Sequence, residues 1–347
     1  MASRRDGLKG RAQPTMADVA ALAGVSTMTV SRALRESPMV SPEARLRILS
    51  AVDDLGYVLD RSAGTLSSKR SGFIAVVVPS INNSNFSETA HGITDAVEGH
   101  GLQLLLGYSD YMIEKEERLI EAMLRRRPEG VILTGGRHTD RTRRLLVGAG
   151  VPVVETWDTP SDPIDHVVGF SNAEATRTLV HRLAERGYRN IGFIGGTTNR
   201  DSRGADRRRG FSLAVEELGL ARERVISFGK PPISIDQGAQ AIALLVEQWP
   251  DVDAVVCVSD LSAFGAVMEC QRRGWSVPQR IAVAGFGDFE VARSSNPRIT
   301  TVAVDCHEIG RIAGELIVRA IDHRLKDRPP GHETIIVPFR VIEREST

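Results

Sequence analysis

Long apolar runs are missing from this chain of 347 residues. No stretch approaches the roughly 18 consecutive apolar residues of a membrane span, which excludes a transmembrane helix and a membrane partner of that kind. The N-terminus carries Arg4, Arg5, Lys9 and Arg11 but no apolar core of a signal peptide, so a cytoplasmic location is expected. Cysteine is scarce. Cys257, Cys270 and Cys306 are odd in number and match no zinc or CxxC spacing, which argues against a disulfide framework and reads as core thiols in a reducing compartment. Also missing are GxGxxG after a strand, GxxxxGK[ST], GxSxG and HExxH. The run "IGGTTN" is only a small-residue turn, the eight His residues are scattered, and His307-Glu308 reads as a helix start. No catalytic residue, cofactor or metal is therefore expected.

Net charge is zero, yet residues 1–72 hold 11 Lys/Arg against 7 Asp/Glu, leaving the remainder acidic. That asymmetry places any nucleic-acid contact near the N-terminus. Residues 1–14 are polar, basic and unpatterned and read as a disordered leader. From Thr15 the pattern becomes helical: Thr15 and Asp18 form a capping pair, with Val19, Ala20, Leu22 and Ala23 as the apolar face and Gly24 as the stop. Ser26 caps a second helix whose Val30 and Leu34 point inward, leaving Thr27, Met28, Thr29, Ser31 and Arg32 outward. A third helix runs from Ser41 and Pro42 to Gly56, with Ala44, Ile48, Leu49, Val52 and Leu55 closing a small core. A short helix, a glycine turn and a second helix rich in small polar residues is the arrangement that sets one helix end into a DNA major groove. Any small three-helix domain would share part of this pattern.

Position by position, "TMADVAALAGVSTMTVSRAL" and the following "VSPEARLRILSAVDDLGYVLDRSAGTLSSKRSGFIAVVVP" resemble the head of the lac-repressor (LacI/GalR) family. The resemblance implies a DNA-binding domain over 15–59, with Thr27, Met28 and Arg32 reading bases, Ser26, Thr29 and Ser31 near phosphates, and Thr15 among the DNA-binding residues. Arg32 suits a bidentate contact to a guanine edge, and Met28 a thymine methyl. It also implies a hinge over 60–71 that forms a helix on DNA, with Leu66 as a minor-groove wedge. On composition alone a flexible linker, with Leu66 against its neighbour, is the lesser alternative. Asp60 stands where the family usually has Asn, which puts the hinge's affinity in doubt.

From Gly72 onward, short β-branched runs alternate with helical patterns, the signature of parallel βαβ units. Strands are expected at 73–78, 102–107, 130–134, 151–156 and 166–169, then at 191–195, 225–228, 254–258, 281–285 and 300–304. Two such halves with a crossover near 162–172 predict two α/β lobes with a ligand cleft at the carboxyl ends of the strands. The resemblance implies the same periplasmic-binding-protein-like architecture over 72–345. Candidate effector residues follow strands: Ser80, Asn85 and Phe86, then Trp157, then Arg203 and Arg207, then Ser259 and Asp288. The run Arg203, Arg207, Arg208, Arg209 could simply face water. Arg207, followed by two residues and then "GF", matches the family's effector-gripping arginine, and Arg203 lies one turn earlier on the same face. Two guanidiniums suit a carboxylate or phosphate. Gly287 replaces an acidic residue of neutral-sugar relatives, which favours an anionic ligand.

The segments "VVETWD", "VVGFSNAEATR" and "AVMECQRRGWSVP" look most like the gluconate-operon repressors of the family, although Ser171 departs from the usual Asp. The resemblance implies a homodimer on a pseudo-palindromic operator, released by a small sugar acid. A ligand-free architectural protein, a neutral-sugar regulator and a corepressor-type regulator remain as alternatives. The stretch from Cys306 to Leu325 reads as an amphipathic helix near the lobe contact or as plain core. No leucine-heptad tail follows Val341, so a tetramer of that kind is not expected.

Overall fold

The computed structural model of the chain describes residues 13–35, 37–58, 70–197, 200–220, 223–326 and 331–347. Nearly all of the expected leader lies outside them, as do Asp60, Leu66, the expected hinge up to residue 69, and Thr198 and Asn199 of the small-residue turn. The chain divides into two compact units, Met1–Ser71 and Gly72–Thr347.

In the first unit, α1 (Met16–Ala23), α2 (Thr27–Leu34) and α3 (Pro42–Leu55) form the helix-turn-helix and its closing helix. The Thr15 Oγ1 accepts the Asp18 N–H at 3.3 Å, and the Asp18 carboxylate accepts the Thr15 N–H at 2.8 Å, closing a reciprocal cap. Gly24 then ends α1 at φ 66°, a left-handed conformation open to glycine without strain. Val19, Ala20, Ala23, Val30, Ala33, Ile48 and Ala51 are buried together. Two residues expected in this core are outside it: Leu22 is 55% exposed and Leu49 47%. Each sits about 100° around its helix from the true apolar stripe, which Ala23 occupies on α1 and Ile48, Ala51 and Val52 on α3. Arg45, on α3, donates to the carbonyls of Ala33 at 3.1 Å and Ser37 at 2.7 Å, so the last carbonyls around α2 are satisfied by a neighbouring helix.

In the second unit, β1 (Phe73–Val78), α4 (Ser84–Glu98), β2 (Gln103–Tyr108), α5 (Ile113–Leu124), β3 (Val131–Thr134), α6 (Asp140–Ala149), β4 (Val153–Thr156) and β5 (His166–Gly169) build one lobe. The other lobe has α7 (Asn172–Glu185), β6 (Ile191–Gly195), α8 (Ser202–Glu217), β7 (Arg224–Ser227), α9 (Ile235–Gln248) and β8 (Ala254–Cys257). It continues through α10 (Asp260–Arg272), β9 (Ala282–Phe286), α11 (Glu290–Ser294) and β10 (Thr300–Val304). The chain then returns: α12 (Cys306–Leu325) packs on α4, β11 (Thr334–Ile336) joins the first sheet, and β12 (Phe339–Ile342) joins the second. These last two strands were not anticipated. They are short, and each pairs across an intervening long helix, β11 with β5 of the first lobe and β12 with β10 of the second.

The sheets run β11-β5-β4-β3-β1-β2 and β12-β10-β9-β8-β6-β7, with only the β10–β12 pairing antiparallel. Apart from the added edge strand, each is a 2-1-3-4-5 order whose direction of winding reverses between its first and third strands. That reversal opens a crevice at the carboxyl ends of β1 and β3 in one lobe and of β6 and β8 in the other. Because the strands are covered by helices on both faces, they are almost continuously apolar: β1 reads Phe-Ile-Ala-Val-Val-Val.

Two contacts brace the first lobe. The first is an ion network: the fully buried His138 lies 2.6 Å from Glu116 on α5 and 3.2 Å from Glu155 on β4. Burial by itself would lower the imidazole pKa, but the two carboxylates outweigh it and raise the value to about 9. The second is the crossing of α12 over α4. A Cβ on Gly310 would lie 2.0 Å from the Thr89 carbonyl oxygen, and one on Gly92 2.1 Å from that of His307, so the helices meet backbone to backbone.

His138→Gln is expected to destabilise the protein by about 3–5 kcal/mol at pH 6, because it strands two buried carboxylates. Since the folded pKa lies above the unfolded value, this contribution is complete below about pH 6.5 and fades as pH rises through 9. Urea unfolding of wild type and variant at pH 6 and pH 9.5 should show the gap narrowing. Gly310→Ala should cost about 1–3 kcal/mol despite the better helix propensity of alanine; an unchanged urea midpoint would contradict the close crossing.

Candidate functional site

Two sets of residues have no structural duty sufficient to explain them. The first is the outer surface of α2. Ser26, Thr27, Met28 and Arg32 are exposed, Met28 by 62%, whereas Thr29 and Ser31 are half-buried. Ser26 caps α2 by accepting the Thr29 N–H at 3.2 Å, and the two hydroxyls lie 2.8 Å apart. Thr15 is exposed, but both its N–H and its hydroxyl are given to Asp18. An exposed methionine beside an arginine with no ion-pair partner among the described residues is costly surface for a protein that meets only water.

The second is a cavity between the lobes of the second unit, about 70 Å³, at the two sheet crevices. Of the residues expected there, Asn85, Phe86, Trp157, Arg203, Arg207 and Ser259 do line it. Ser80 and Asp288 do not. The Ser80 hydroxyl accepts the Asn82 N–H in its own turn at 3.2 Å, and Asp288 is paired with Arg344 at 2.5 Å. Ser259 uses its hydroxyl to cap α10.

The arginines are fixed by different means. Arg207 donates from Nε to Asn172 at 2.9 Å and from Nη1 to the Val258 carbonyl at 2.8 Å, and its guanidinium lies 3.6 Å from the Phe286 ring centroid. Burial lowers its pKa to about 10, still leaving it charged at neutral pH. Asn172 also donates to the Trp157 carbonyl at 2.9 Å, so one amide orients groups from both lobes. Arg203 is 5% exposed and lies over Phe86 and Tyr111. Its Nη2 reaches Asp201 only at 3.5 Å, and its buried Nη1 has no hydrogen-bond partner among the described residues. A guanidinium held from water with an unmade bond costs free energy until an acceptor arrives.

Trp157 adopts φ 69° and is enclosed edge-on by Phe86 at 5.4 Å and Phe170 at 6.0 Å, with its indole N–H given to Thr89 at 3.1 Å. It shapes one end of the cavity as part of an aromatic cluster. Gly287 has a reason of its own: at φ 123° its carbonyl accepts from Asn85 at 2.9 Å, and a Cβ would meet the Phe289 ring at 2.5 Å. The missing carboxylate there follows from backbone geometry and does not by itself indicate ligand charge. Asp260, buried with its pKa raised to about 7 by desolvation, accepts from Thr301 and from the Phe289 N–H and so anchors the cavity wall.

Sequence reasoning missed Asn172, Tyr111, Asp201 and Phe286. Asn172 begins a helix and Phe286 ends a strand, which the post-strand rule could have included; Tyr111 and Asp201 are brought in by loop geometry with no periodic signal. No group of metal-ligating residues occurs among the described residues, and no described helix is long and apolar enough to cross a membrane.

Residues 15–60 match the family model of bacterial regulatory proteins, lacI family, and residues 180–347 that of a periplasmic binding protein-like domain. The HTH-type transcriptional regulator GntR of Escherichia coli (strain K12) is 36% identical, covering 89% of this chain and 92% of that protein. The GntR regulator of Pseudomonas aeruginosa is 34% identical, covering 96% of each. A LacI-family transcriptional regulator from Silicibacter pomeroyi of known structure is 33% identical, with a TM-score of 0.87 over 96% of this chain and 99% of that one. With a helix-turn-helix head, a two-lobed domain around an arginine pair, and relatives that are regulators along nearly their whole length, the chain belongs to the lacI family and is a DNA-binding transcriptional regulator, not an enzyme.

Proposed function

We propose that the protein represses transcription in the cytoplasm as a homodimer on a pseudo-palindromic operator, and that a small sugar acid of the gluconate type releases it. The observation that carries the effector reading is the buried Arg203, with one guanidinium nitrogen unpaired, beside Arg207. A carboxylate would supply the missing acceptor and offset the positive charges of the buried Arg203 and the half-buried Arg207, whereas the hydroxyls of a neutral sugar would leave them uncompensated. Asn85 and Ser259, already bonded to the Gly287 carbonyl and to the first turn of α10, would meet effector hydroxyls only with their remaining bonding capacity, and Phe86 would lie against the carbon chain.

The space is about 70 Å³, below the roughly 150 Å³ that admits benzene in an apolar protein cavity. A six-carbon acid therefore enters only if the lobes separate or the lining shifts. That motion is the route by which occupancy is communicated, and the ligand biases the equilibrium only by its preference between the two arrangements, typically about 1–3 kcal/mol. On DNA, Thr27, Met28 and Arg32 read bases while Ser26, Thr29 and Ser31 lie along phosphates, with Thr15 at the start of the first helix and Leu66 as wedge in the hinge.

Thermal-shift screening should show stabilisation by gluconate-class acids and none by neutral hexoses, with Arg207→Ala weakening the acid by about 10–100-fold, or ~1.5–3 kcal/mol. The same acid should release operator in a gel-shift assay. A neutral sugar as the sole ligand would sink the effector reading, and tighter operator binding with the acid would reverse the direction of control. Arg32→Ala should cost about 1–3 kcal/mol and relax preference at one base pair per half-site, which selection from a randomised operator library would reveal.

A further inference from the structure

Away from the cleft, the first lobe holds a larger space of about 730 Å³, and none of the residues around it lines the cavity between the lobes. It lies where the returning chain meets the earlier one: α12 and the residues leading into β11 face the end of α6 and the amino ends of β4 and β5. Leu146, Pro152, Val153, Ile164, Leu316 and Ala320 give it an apolar lining. Its size falls within the roughly 300–1,000 Å³ of small-molecule sites, which are apolar with a few polar groups that fix orientation.

The polar groups around this space are left with unmade bonds. On the strand side, His166 is 5% exposed and its Nδ1 accepts the Glu333 N–H at 3.2 Å. In the neutral ring the proton is therefore on Nε2, which lies 3.5 Å from Asp165 Oδ1. That oxygen is buried and makes no hydrogen bond among the described residues, although the His332 ring on the surface comes within 3.1 Å. The other Asp165 oxygen accepts the Val153 N–H at 3.2 Å. An N–H donor beside a carboxylate acceptor fits a hydroxyl, which takes a bond from the first and gives its own to the second.

On the helix side, the last turns of α12 bring Arg319, His323 and Arg324 to the rim. Arg319 is paired with Glu333 at 3.2 Å, whereas Arg324 has no ion-pair partner among the described residues. A free guanidinium at the mouth of an apolar space suits a carboxylate carried on an apolar body. Cationic side chains also lie favourably against an aromatic face.

We propose that this space is a second ligand site, separate from the effector cleft, for a small hydroxyaromatic acid. The ring hydroxyl meets His166 and Asp165, the ring lies on the apolar lining, and the carboxylate meets Arg324 and His323. The inference uses no residue of the cleft and does not depend on the sugar-acid reading.

Calorimetric titration of the full chain with 4-hydroxyphenylacetate, phenylacetate and decanoate tests it. The expected result is binding of 4-hydroxyphenylacetate at least about tenfold tighter than phenylacetate, ~1.4 kcal/mol. Ala320→Phe, which fills the space from a half-buried position, should abolish that binding, and Arg324→Ala, at an exposed position, should weaken it about five- to tenfold. An unchanged thermal midpoint shows that each variant is folded. Arg203→Ala, in the cleft, should leave the affinity as it is. No heat from 4-hydroxyphenylacetate, or equal affinity for phenylacetate, overturns the proposal. Tighter binding of decanoate overturns the hydroxyaromatic assignment. Binding that survives Ala320→Phe and is lost in Arg203→Ala places the acid in the cleft and removes the second site.

Discussion

A guanidinium kept from water must find acceptors, and this requirement governs the sensor domain. Arg207 meets it internally. Its bonds to Asn172 and the Val258 carbonyl and its stacking on Phe286 draw α7, the end of β8 and the end of β9 to one point. Through Asn172 the same point is tied to the Trp157 carbonyl in the other lobe. Arg203, one turn earlier on α8, does not meet the requirement internally. The two arginines therefore divide the labour: one holds the lobes in register, and the other leaves the site incomplete until an acceptor arrives. Such incompleteness is what allows a ligand to have unequal affinity for two lobe arrangements.

The lobes themselves are stiffened away from the cavity. The ion network of Glu116, His138 and Glu155 ties α5 to β4 behind the cleft, while the glycine-mediated crossing of α12 on α4 fixes the helix that presents Asn85 and Phe86. Asp260 does the equivalent for the wall carrying Phe289. A change at the cavity is thus more readily taken up by the strands that cross between lobes than by deformation of either lobe. Three such crossings exist, after β5, after β10 and between β11 and β12. A segment joined three times rotates about fewer axes than one joined once.

Much of this was legible in the chain. The head was readable almost to the residue because its signals are local: Thr15 with Asp18, Gly24, Ser26, and Ser41 with Pro42 act within one helical turn of themselves. The misplacement of Leu22 and Leu49 shows where locality ends: the eight residues of α1 offer too few turns for periodicity to tell a core position from its neighbour, and on α3 Leu49 adjoins the buried Ile48 in an apolar pair of which only one member faces the core. In the sensor domain, ten strands followed from alternation and spacing, whereas Arg207 was singled out by the family resemblance and Arg203 by its place one turn earlier. Ser80 and Asp288 did not reach the cavity because nearer partners, the Asn82 N–H and Arg344, claim them first.

By itself, then, the sequence determined the class of molecule: a capped helix-turn-helix, two parallel α/β lobes and two arginines one turn apart on a helix after a strand. These are properties of residues within a few positions of one another, and local geometry carries them. Only the tertiary structure decided that Arg203 is buried with a nitrogen unpaired, that Asn172 serves both lobes, that Gly287 answers to its backbone, and that the returning α12 closes a second space against β4 and β5. Each depends on groups brought together from distant parts of the chain, where the competition for hydrogen-bond partners is settled by packing and leaves no periodic trace in the sequence.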